Sequence, residues 1–349
     1  MNTHFLSLIQ EALRHFYPAF RGRNKLRKIA NLVGANLHMA MGIPYRGSPV
    51  RLYLHTTNAC NLRCIGCART YRTTETQWLK LDALQEIADS FPLLLSVCLH
   101  GEGEPLLYPH IYEAVTLFAS RGCLVSFNSN GTLLDEKNVA KLCHAGIAEV
   151  NVSLDGARDE TIKKTRIGSD PGSIKAGIRR LVTEGKKRKK ALLVGISMYI
   201  NINNAGEVEE FIRLGSELDV GYIRFQRITR SGQTSHLSLD RSDEARLFSM
   251  LQARGHQSHP RIYIDSFNEF QRERFPLVRS RCPMPWFTMS LGLDGKADPC
   301  CSANVGSLGD FHEKTVKGIV ASEARATFMR QLTSRHPPEV CVSCQWLQK

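Results

Sequence analysis

The sequence of 349 residues contains no long hydrophobic run. No apolar stretch approaches the roughly 18 residues that a membrane-spanning helix needs. The first residues, Met1–Phe5, lack the basic segment and the apolar run of a secretory signal peptide. We therefore expect a cytoplasmic protein whose thiols stay reduced.

An ordered series of aromatic residues is also missing beside the basic runs, although the formal net charge is +13. Proteins that bind single-stranded nucleic acid combine a basic groove with aromatic side chains on which the bases stack. No ordered series of aromatic residues accompanies the basic run 186–190, which follows a helical pattern and is typical of a solvated helix end. Nucleic acid is therefore not an expected partner.

Hydrophobic residues make up 42% of the chain and charged residues 23%, which is typical of a globular protein with ample core. From Arg51 onward, strand and helix patterns alternate. Strands are predicted at 51–56, 94–100, 123–128, 149–155, 191–200 and 221–228, and helices at 80–90, 109–121, 135–145, 171–185 and 205–218. Such β/α repeats predict an α/β fold with a parallel sheet, as a partial TIM-like (β/α)6 barrel. A flat doubly wound sheet is the alternative, but no Gly-x-Gly-x-x-Gly turn follows the first strand.

Polar and apolar residues alternate along three of these strands. The polar members are Ser126, Asn128, Asn151, Ser153, Asp155, Arg224 and Gln226. Because helices should cover the apolar face, the polar row should face the barrel interior. A polar interior at the carboxyl ends of the strands predicts a polar ligand, since unpaired buried groups are costly.

Three cysteines, Cys60, Cys64 and Cys67, form a C-x3-C-x2-C run directly after the first predicted strand. Tetrahedral zinc usually takes four ligands, so three thiolates from one loop are the wrong number for it. A cubane iron–sulfur cluster can be held by three cysteines, with one iron left free to bind something else. A cluster is the favoured interpretation of this loop, and zinc or a structural thiol group is the alternative.

A second set of cysteines lies near the C-terminus: Cys282, Cys300, Cys341 and Cys344. The Asp-Gly pair at 294–295 predicts a hairpin that brings Cys282 and Cys300 to the same end. Four such thiolates fit zinc as well as an iron–sulfur cluster. The remaining cysteines are interpreted as a neighbour of this set (Cys301) and as core thiols (Cys98, Cys123 and Cys143).

The first cysteine loop closely resembles the motif of the radical S-adenosylmethionine (SAM) superfamily. Two further segments carry the resemblance: Gly-Glu-Pro at 103–105 is similar to the GGEP region of that family, and Ser-Leu-Asp-Gly at 153–156, followed by Arg166, is similar to its S-x-D-G…R arrangement. The resemblance implies a [4Fe–4S] cluster on the three cysteines. Its open iron would chelate SAM and reduce it to a 5′-deoxyadenosyl radical.

The resemblance also implies contacts to SAM. Glu104 would accept from the SAM amino group, and the Arg166 guanidinium would pair with the SAM carboxylate. The implied set is Gly103, Glu104, Asn130, Ser153, Arg166 and Met198. Many family members carry an aromatic residue before the third cysteine, where this chain has Gly66, so the packing of adenine is open.

The C-terminal cysteines resemble the twitch domain, a shortened SPASM domain, with a spacing similar to that of 2-deoxy-scyllo-inosamine dehydrogenases. This implies a second [4Fe–4S] cluster on Cys282, Cys300, Cys341 and Cys344. With four protein ligands that cluster would have no open site, so electron transfer is its expected role. The predicted domains are a helical preface at 1–48, the barrel at 49–232, a connecting segment at 233–280 and the small α+β cluster domain at 281–349.

The expected function is hydrogen abstraction from a small molecule, followed by a one-electron oxidation, as in a dehydrogenase. Candidates for the proton acceptor, by position only, are Arg224, Gln226, Arg227 and His100. An electron donor such as flavodoxin or ferredoxin is an expected partner, whereas the oligomeric state is left open. The alternatives are modification of a ribosomal peptide, epimerisation or dehydration of a sugar, modification of a lipid, and a non-enzymatic metal-binding scaffold.

The preface suggests one further partner. Leu6, Ile9, Leu13 and Phe16 recur at helical spacing before the basic segment 21–28. Packing on the barrel is the favoured interpretation, and peripheral contact with a membrane surface is the alternative.

Overall fold

The computed structural model describes residues 19, 24–188, 192–228, 232–254, 259–265, 282–301, 306–334, 336–342 and 344. Its helices are α1 (Lys25–Met41), α2 (Leu81–Ser90), α3 (Ile111–Ser120), α4 (Glu136–Ala145), α5 (Asp159–Thr165), α6 (Pro171–Lys186), α7 (Val208–Glu217), α8 (Arg241–Arg254), α9 (Met284–Phe287), α10 (Val316–Val320), α11 (Glu323–Thr333) and α12 (Glu339–Val342). Its strands are β1 (Arg51–His55), β2 (Arg63–Cys64), β3 (Ser96–His100), β4 (Leu124–Ser129), β5 (Glu149–Ser153), β6 (Arg166–Ile167), β7 (Leu193–Ile200), β8 (Tyr222–Arg227), β9 (Arg261–Asp265), β10 (Thr288–Leu291), β11 (Lys296–Asp298) and β12 (Gly309–Asp310). The apolar residues 6–16 of the preface lie outside the described residues.

One large sheet runs through the described residues in the order β12-β11-β10-β1-β3-β4-β5-β7-β8-β9. Neighbouring strands from β10 through β1 to β9 pair in parallel, and β10, β11 and β12 pair antiparallel. The carboxyl ends of the parallel strands therefore meet at one end, the mouth of the partial barrel. The predicted α/β fold is confirmed, with each predicted strand and helix present to within three residues.

Two features of the sheet were not predicted. The segment expected only to connect the domains contains α8 and β9, and β9 extends the parallel sheet beside β8. At the other edge, β10 pairs in parallel with β1, so the predicted hairpin of β10 and β11 continues the barrel sheet. The C-terminal part is thus joined to the barrel by backbone hydrogen bonds.

The helix-covered face of the sheet is the main apolar core. Val97, Val125, Val150, Ile196 and Phe225 of successive strands are completely buried there. Because side chains alternate along a strand, the intervening residues point to the other face. Those are the polar residues that the alternation predicts for the barrel interior.

α1 lies across the amino ends of the strands, opposite the mouth. The Lys28 Nζ donates to the backbone oxygen of Gly122, which lies shortly before β4, at 3.4 Å. Ile29 packs against Val50 and Leu95, the residues that directly precede β1 and β3. Among the described residues, no helix has the length and apolar character to cross a membrane.

A buried arginine fastens the C-terminal helices to the segment before β1. Arg325 is 1% exposed and donates to the backbone oxygens of Gly47 (2.9 Å), Val320 (3.1 Å) and Pro285 (3.1 Å). It lies beside a second apolar cluster formed by Trp286, Met329, Leu332 and Cys341. Three distant parts of the chain therefore meet at this residue.

Candidate active site

The first cysteine loop leaves β1 at the mouth. Its cysteines are free thiols of intermediate burial. Hydrogen bonds from the Cys67 amide to Cys64 O (3.2 Å) and from Thr70 Oγ1 to Cys64 O (2.8 Å) fold the loop back on itself. The Arg69 Nε donates to Asn58 O at 2.5 Å and closes the far side.

The three thiols of this loop are the residues that would hold the [4Fe–4S] cluster implied by the motif. Among the described residues, no group of three His, Cys, Asp or Glu side chains converges closely enough to hold one metal ion. In a cubane each cysteine binds a different iron, so its ligands stand farther apart than the ligands of one zinc. Burial raises the pKa of Cys64 to about 11, Arg166 opposes this shift, and Cys67 and Cys60 add to it. Bound iron would offset the cost of gathering three thiolates.

Gly101 and Gly103 position the cysteine loop. A Cβ at Gly101 would lie 2.3 Å from Thr57 O, and one at Gly103 would lie 2.1 Å from Ala59 O. The Gly103 amide donates to Thr57 O (3.2 Å) and the Glu104 amide to Ala59 O (2.7 Å). The missing side chains of both glycines therefore admit the backbone of the cysteine loop, and the contact of Gly103 with SAM stays a prediction.

Glu104 is the buried acceptor at the centre of the mouth, 1% exposed. Its carboxylate accepts from the Asn130 amide (2.6 Å), Ser129 Oγ (2.9 Å) and the Leu106 amide (3.2 Å). Burial raises its pKa, whereas these hydrogen bonds lower it. A carboxylate has about four lone-pair sites, so one further donor can still be accepted.

Asn130 ties the turn after β4 to the cysteine loop. Its Nδ2 donates to Asn61 Oδ1 at 2.8 Å and lies 3.9 Å from Cys60 Sγ. Its Oδ1 accepts from the amide and the hydroxyl of Thr132. Next to it, Gly131 has φ +80, and a Cβ there would meet Val152 at 2.8 Å, so glycine is required. Asn130 thus connects Cys60 and Asn61 of the cysteine loop to the turn after β4.

Arg166 forms a buried ion pair with Asp155, a partner that the sequence reading did not assign. Arg166 Nη1 donates to Asp155 Oδ2 at 2.6 Å, and the two side chains are 9% and 10% exposed. Asp155 also accepts from the Tyr199 amide at 2.7 Å. The pairing of β2 with β6 places Arg166 opposite Cys64. The Arg166 Nε is buried with no partner among the described residues, so one donor remains for a ligand.

The polar row inside the barrel forms a hydrogen-bonded chain. Asn151 Nδ2 donates to Asn128 Oδ1 (3.1 Å) and Ser197 Oγ (2.9 Å), and Ser197 Oγ donates to Ser153 Oγ at 3.4 Å. The Asn151 Oδ1 has no partner among the described atoms. Met198 does not face this row: it is completely buried in the core under the helices, because adjacent strand residues point to opposite faces. Ser197 takes the interior position that was assigned to Met198.

The expected proton acceptors differ in their surroundings. His100 is packed edge-on against His55, with ring centroids 5.3 Å apart, and burial lowers its pKa to about 4. Burial likewise lowers the pKa of His55, at the end of β1. Both imidazoles are therefore neutral near pH 7 and can accept hydrogen bonds, but the lowered pKa makes each a weaker base than a free imidazole. Arg224 lies over the Tyr222 ring at 5.6 Å, and Gln226 lies on the same strand face. Arg227 instead points to the other face, where it pairs with buried Glu244 at 3.4 Å.

Ile228 occupies the space beside Gly66. A Cβ at Gly66 would lie 3.1 Å from Ile228 Cδ1, which is tighter than most real contacts. Ile228 itself is 4% exposed, at the end of β8. A side chain at position 66 would require Ile228 to shift by a few tenths of an ångström, so Ile228 packs directly against the loop at this position.

The C-terminal cysteines come from three separate segments. Cys282 precedes α9, Cys300 follows β11, and Cys341 and Cys344 lie in and after α12. Burial raises the pKa of Cys282 to about 12, and the charges of Cys344, Cys341 and Cys301 add to the rise. Cys300 packs against the apolar cluster that contains Cys341. The structure therefore gathers these thiols at one place.

Two of the other cysteines face the barrel interior. Cys301 lies beside the Tyr53 side chain, and the Arg51 guanidinium lies over the Tyr53 ring at 5.9 Å. Cys98 is buried beside Arg51 and lies opposite Ser126 in the sheet, so it belongs to the polar interior and not to the apolar core. The strand alternation of β1 (Arg-Leu-Tyr-Leu-His) was the signal that could have found this face. Through Cys301, the C-terminal cysteines contact the row of side chains that lines the barrel.

Comparison with known proteins agrees with this geometry. The model of the radical SAM superfamily matches residues 54–215, and the model of an iron–sulfur cluster-binding domain, SPASM, matches residues 282–345. The mycofactocin maturase MftC of Mycobacterium ulcerans is 27% identical over 53% of this chain and 49% of that protein. A tungsten-containing aldehyde ferredoxin oxidoreductase cofactor-modifying protein of Pyrococcus furiosus is 33% identical over 30% of each chain. The matched part thus spans about half or less of these curated relatives.

Solved structures share the fold. The crystal structure of Streptococcus suis SuiB bound to S-adenosylmethionine has a TM-score of 0.68, with 16% identity over 93% of this chain and 75% of that chain. The expected similarity to 2-deoxy-scyllo-inosamine dehydrogenase is much weaker, since BtrN in complex with AdoMet and 2-DOIA has a TM-score of 0.45 at 13% identity. That likeness carries no argument about the reaction. The chain combines a radical SAM domain, which binds SAM and a [4Fe–4S] cluster, with a C-terminal SPASM domain that binds additional iron–sulfur.

Proposed function

We propose that this radical SAM enzyme is a maturase, which removes a hydrogen atom from a peptide bound at the mouth of the barrel. The observation that carries the proposal is a set of exposed apolar side chains around the cysteine loop and the Asp155–Arg166 pair. Its members are Tyr71, Ile167, Tyr199 and Ile202, each at least 40% exposed. A small polar substrate would need no such rim, whereas a peptide presents apolar side chains on either side of the reacting residue.

Each rim residue is connected to the site. Tyr71 Oη donates to Ile65 O of the cysteine loop at 2.8 Å. Ile167 pairs with Arg63 in the ribbon of β2 and β6. Tyr199 donates its amide to Asp155, and Ile202 follows β7. A chain lying across this rim would pass over the cysteine loop and the Asp155–Arg166 pair.

When bound, the [4Fe–4S] cluster and SAM supply one kind of chemistry: reductive cleavage of SAM to a carbon radical that abstracts hydrogen. The side chains of the protein would orient SAM and the substrate. Arg166 Nε and the remaining lone pair of Glu104 are the groups available to orient the carboxylate and the amine of SAM. Ile228 packs beside the loop, and the interior polar row faces the group that reacts.

The relatives support this substrate class. MftC is named a maturase, and SuiB has been crystallised with its precursor peptide SuiA. An oxidation of a small molecule, as in a dehydrogenase, is the second candidate, and the contact between Cys301 and Tyr53 favours it. That contact connects the four-cysteine site to the barrel interior, where an electron leaving a substrate radical would have to travel.

Deuterium transfer tests the substrate class without knowledge of the substrate. The reconstituted protein is incubated with SAM, dithionite and an extract of its source organism grown in deuterium oxide. Hydrogen abstraction places deuterium in 5′-deoxyadenosine, which mass spectrometry detects. We expect this label to disappear when the extract is first passed over an immobilised protease.

The matched control is the same extract after dialysis, which removes small molecules and keeps large peptides. Label that survives the protease but is lost on dialysis would assign a small-molecule substrate and refute the peptide proposal. The variant in which Cys60, Cys64 and Cys67 are alanine provides the background. 5′-Deoxyadenosine formed by that variant would refute the radical SAM assignment itself.

A further inference from the structure

A stripe of apolar side chains runs along the outer face of α1. Leu26, Val33, Leu37 and Met41 are 79%, 50%, 56% and 52% exposed. Their spacing of seven, four and four residues places them on one side of the helix. This stripe is unlike the scattered apolar residues that most surfaces carry.

The opposite face of α1 is fully engaged. Lys28, Asn31 and Ala35 are buried, and Asn31 Nδ2 donates to Ser48 O at 2.9 Å. Tyr45 Oη donates to Asn31 Oδ1 at 2.9 Å. The orientation of the helix about its own axis is therefore fixed, and the apolar stripe is held outward.

The charged residues of this helix all have one sign. α1 contains Lys25, Arg27 and Lys28 and no Asp or Glu, and along the sequence no acidic residue occurs between Glu11 and Glu75. Lys25 and Arg27 flank Leu26 and are exposed. No ion pair joins either of them to a carboxylate of another described residue.

We propose that the outer face of α1 binds an anionic lipid surface. Apolar side chains beside Lys and Arg are the signature of a helix that lies in the plane of a membrane interface. Each such cation near an anionic membrane contributes about 1 kcal/mol. A second copy of the chain is the poorer occupant, because it would bring Lys25 and Arg27 of one α1 helix against those of the other. The proposal holds whatever the substrate is, since α1 covers the end of the barrel opposite the mouth.

Vesicle flotation of the full chain tests this proposal. We expect binding to phosphatidylcholine vesicles that contain 30% phosphatidylglycerol, and much weaker binding to phosphatidylcholine alone. Leu26→Ser with Leu37→Ser should lower the partition coefficient by at least tenfold. Lys25→Gln with Arg27→Gln should lower it roughly 30-fold, and 1 M salt should have the same effect.

Matched controls lie on other surfaces. Leu81→Ser removes an exposed leucine at the start of α2, and Lys80→Gln with Lys137→Gln removes two exposed charges elsewhere. Both should bind vesicles like the parent. Reductive SAM cleavage by the α1 variants should stay within twofold of the parent, which shows that they fold.

Three results would overturn the proposal. The first is no binding to anionic vesicles, or binding that the α1 variants leave unchanged. The second is a dimer in solution that Leu26→Ser with Leu37→Ser converts to a monomer, which would assign the face to a second copy. The third is vesicle binding that appears only after removal of residues 2–18, which would assign the face to that segment.

Discussion

The two cysteine sets of this protein are built in opposite ways. Cys60, Cys64 and Cys67 lie within eight residues, and short backbone bonds fold their loop. The second set spans residues 282–344 and depends on a hairpin, two helices and a buried arginine. A local site needs little of the fold to form, whereas an assembled site exists only when the fold is complete.

The two sets also differ in whether they would leave one iron without a cysteine ligand. On the proposed ligand sets, three thiolates would leave one iron for SAM, with Arg166 and Glu104 nearby to orient it. Four thiolates would leave none, but Cys301 next to them lies beside Tyr53 of the barrel. We therefore expect the first set to bind a ligand and the second to exchange electrons with the barrel interior.

Loss of the first set should have the largest effect. With Cys60, Cys64 and Cys67 replaced by alanine, 5′-deoxyadenosine should fall to background, and iron from about eight to about four per chain. Product analysis and an iron assay check this. Cys143→Ala, which removes a core thiol, is the control and should change neither value.

Loss of the second cysteine set should remove its iron but leave SAM cleavage at the first set largely intact. Cys344→Ser should halve the iron content, while reductive formation of 5′-deoxyadenosine stays within about threefold of the parent. The remaining [4Fe–4S] signal is followed by electron paramagnetic resonance. Loss of 5′-deoxyadenosine together with an unchanged melting temperature would show that the sets are not independent.

A smaller effect is expected at the ion pair beside the first set. Arg166→Lys keeps the charge but loses the Nε donor, so the dissociation constant of SAM should rise roughly tenfold, with iron content unchanged. Arg158→Lys, at the exposed pair with Glu210, is the matched control. Equal SAM affinity in both variants would show that Arg166 does not contact SAM.

The smallest effect should come from Cys301. Cys301→Ala should leave about eight irons per chain, because the contact with Tyr53 and not a metal explains its position. The iron assay that detects Cys344→Ser serves as the reference. A loss of about four irons would identify Cys301 as a cluster ligand. Its contact with Tyr53 would then no longer distinguish the second set from the first.

Much of the fold was predictable because local patterns agree with it. The strands β1 to β8 of the barrel alternate regularly, and the helices between them carry clear apolar faces. α8 and β9 were missed because their apolar pattern is weak: α8 buries Glu244, Phe248 and Leu251 only, and β9 is an edge strand. Sequence periodicity detects burial, and these elements bury little.

Contacts between distant backbones were not predictable. The glycines at 101 and 103 face the carbonyls of the cysteine loop, and nothing in their own segment reveals this neighbour. Asp155 and Arg166 lie eleven residues apart and meet only because β6 pairs with β2. The residue types indicate what a site can do, but the three-dimensional fold decides which groups remain available.

The pairing of β1 with β10 has a consequence for synthesis. β1 emerges from the ribosome among the first strands, and its outer edge stays unpaired until β10 is made near the end of the chain. An unpaired strand edge is a template for aggregation. A nascent or truncated chain that stops before Thr288 therefore carries a complete cysteine loop beside an open edge, so proteolytic loss of the C-terminus should yield insoluble protein rather than a smaller enzyme.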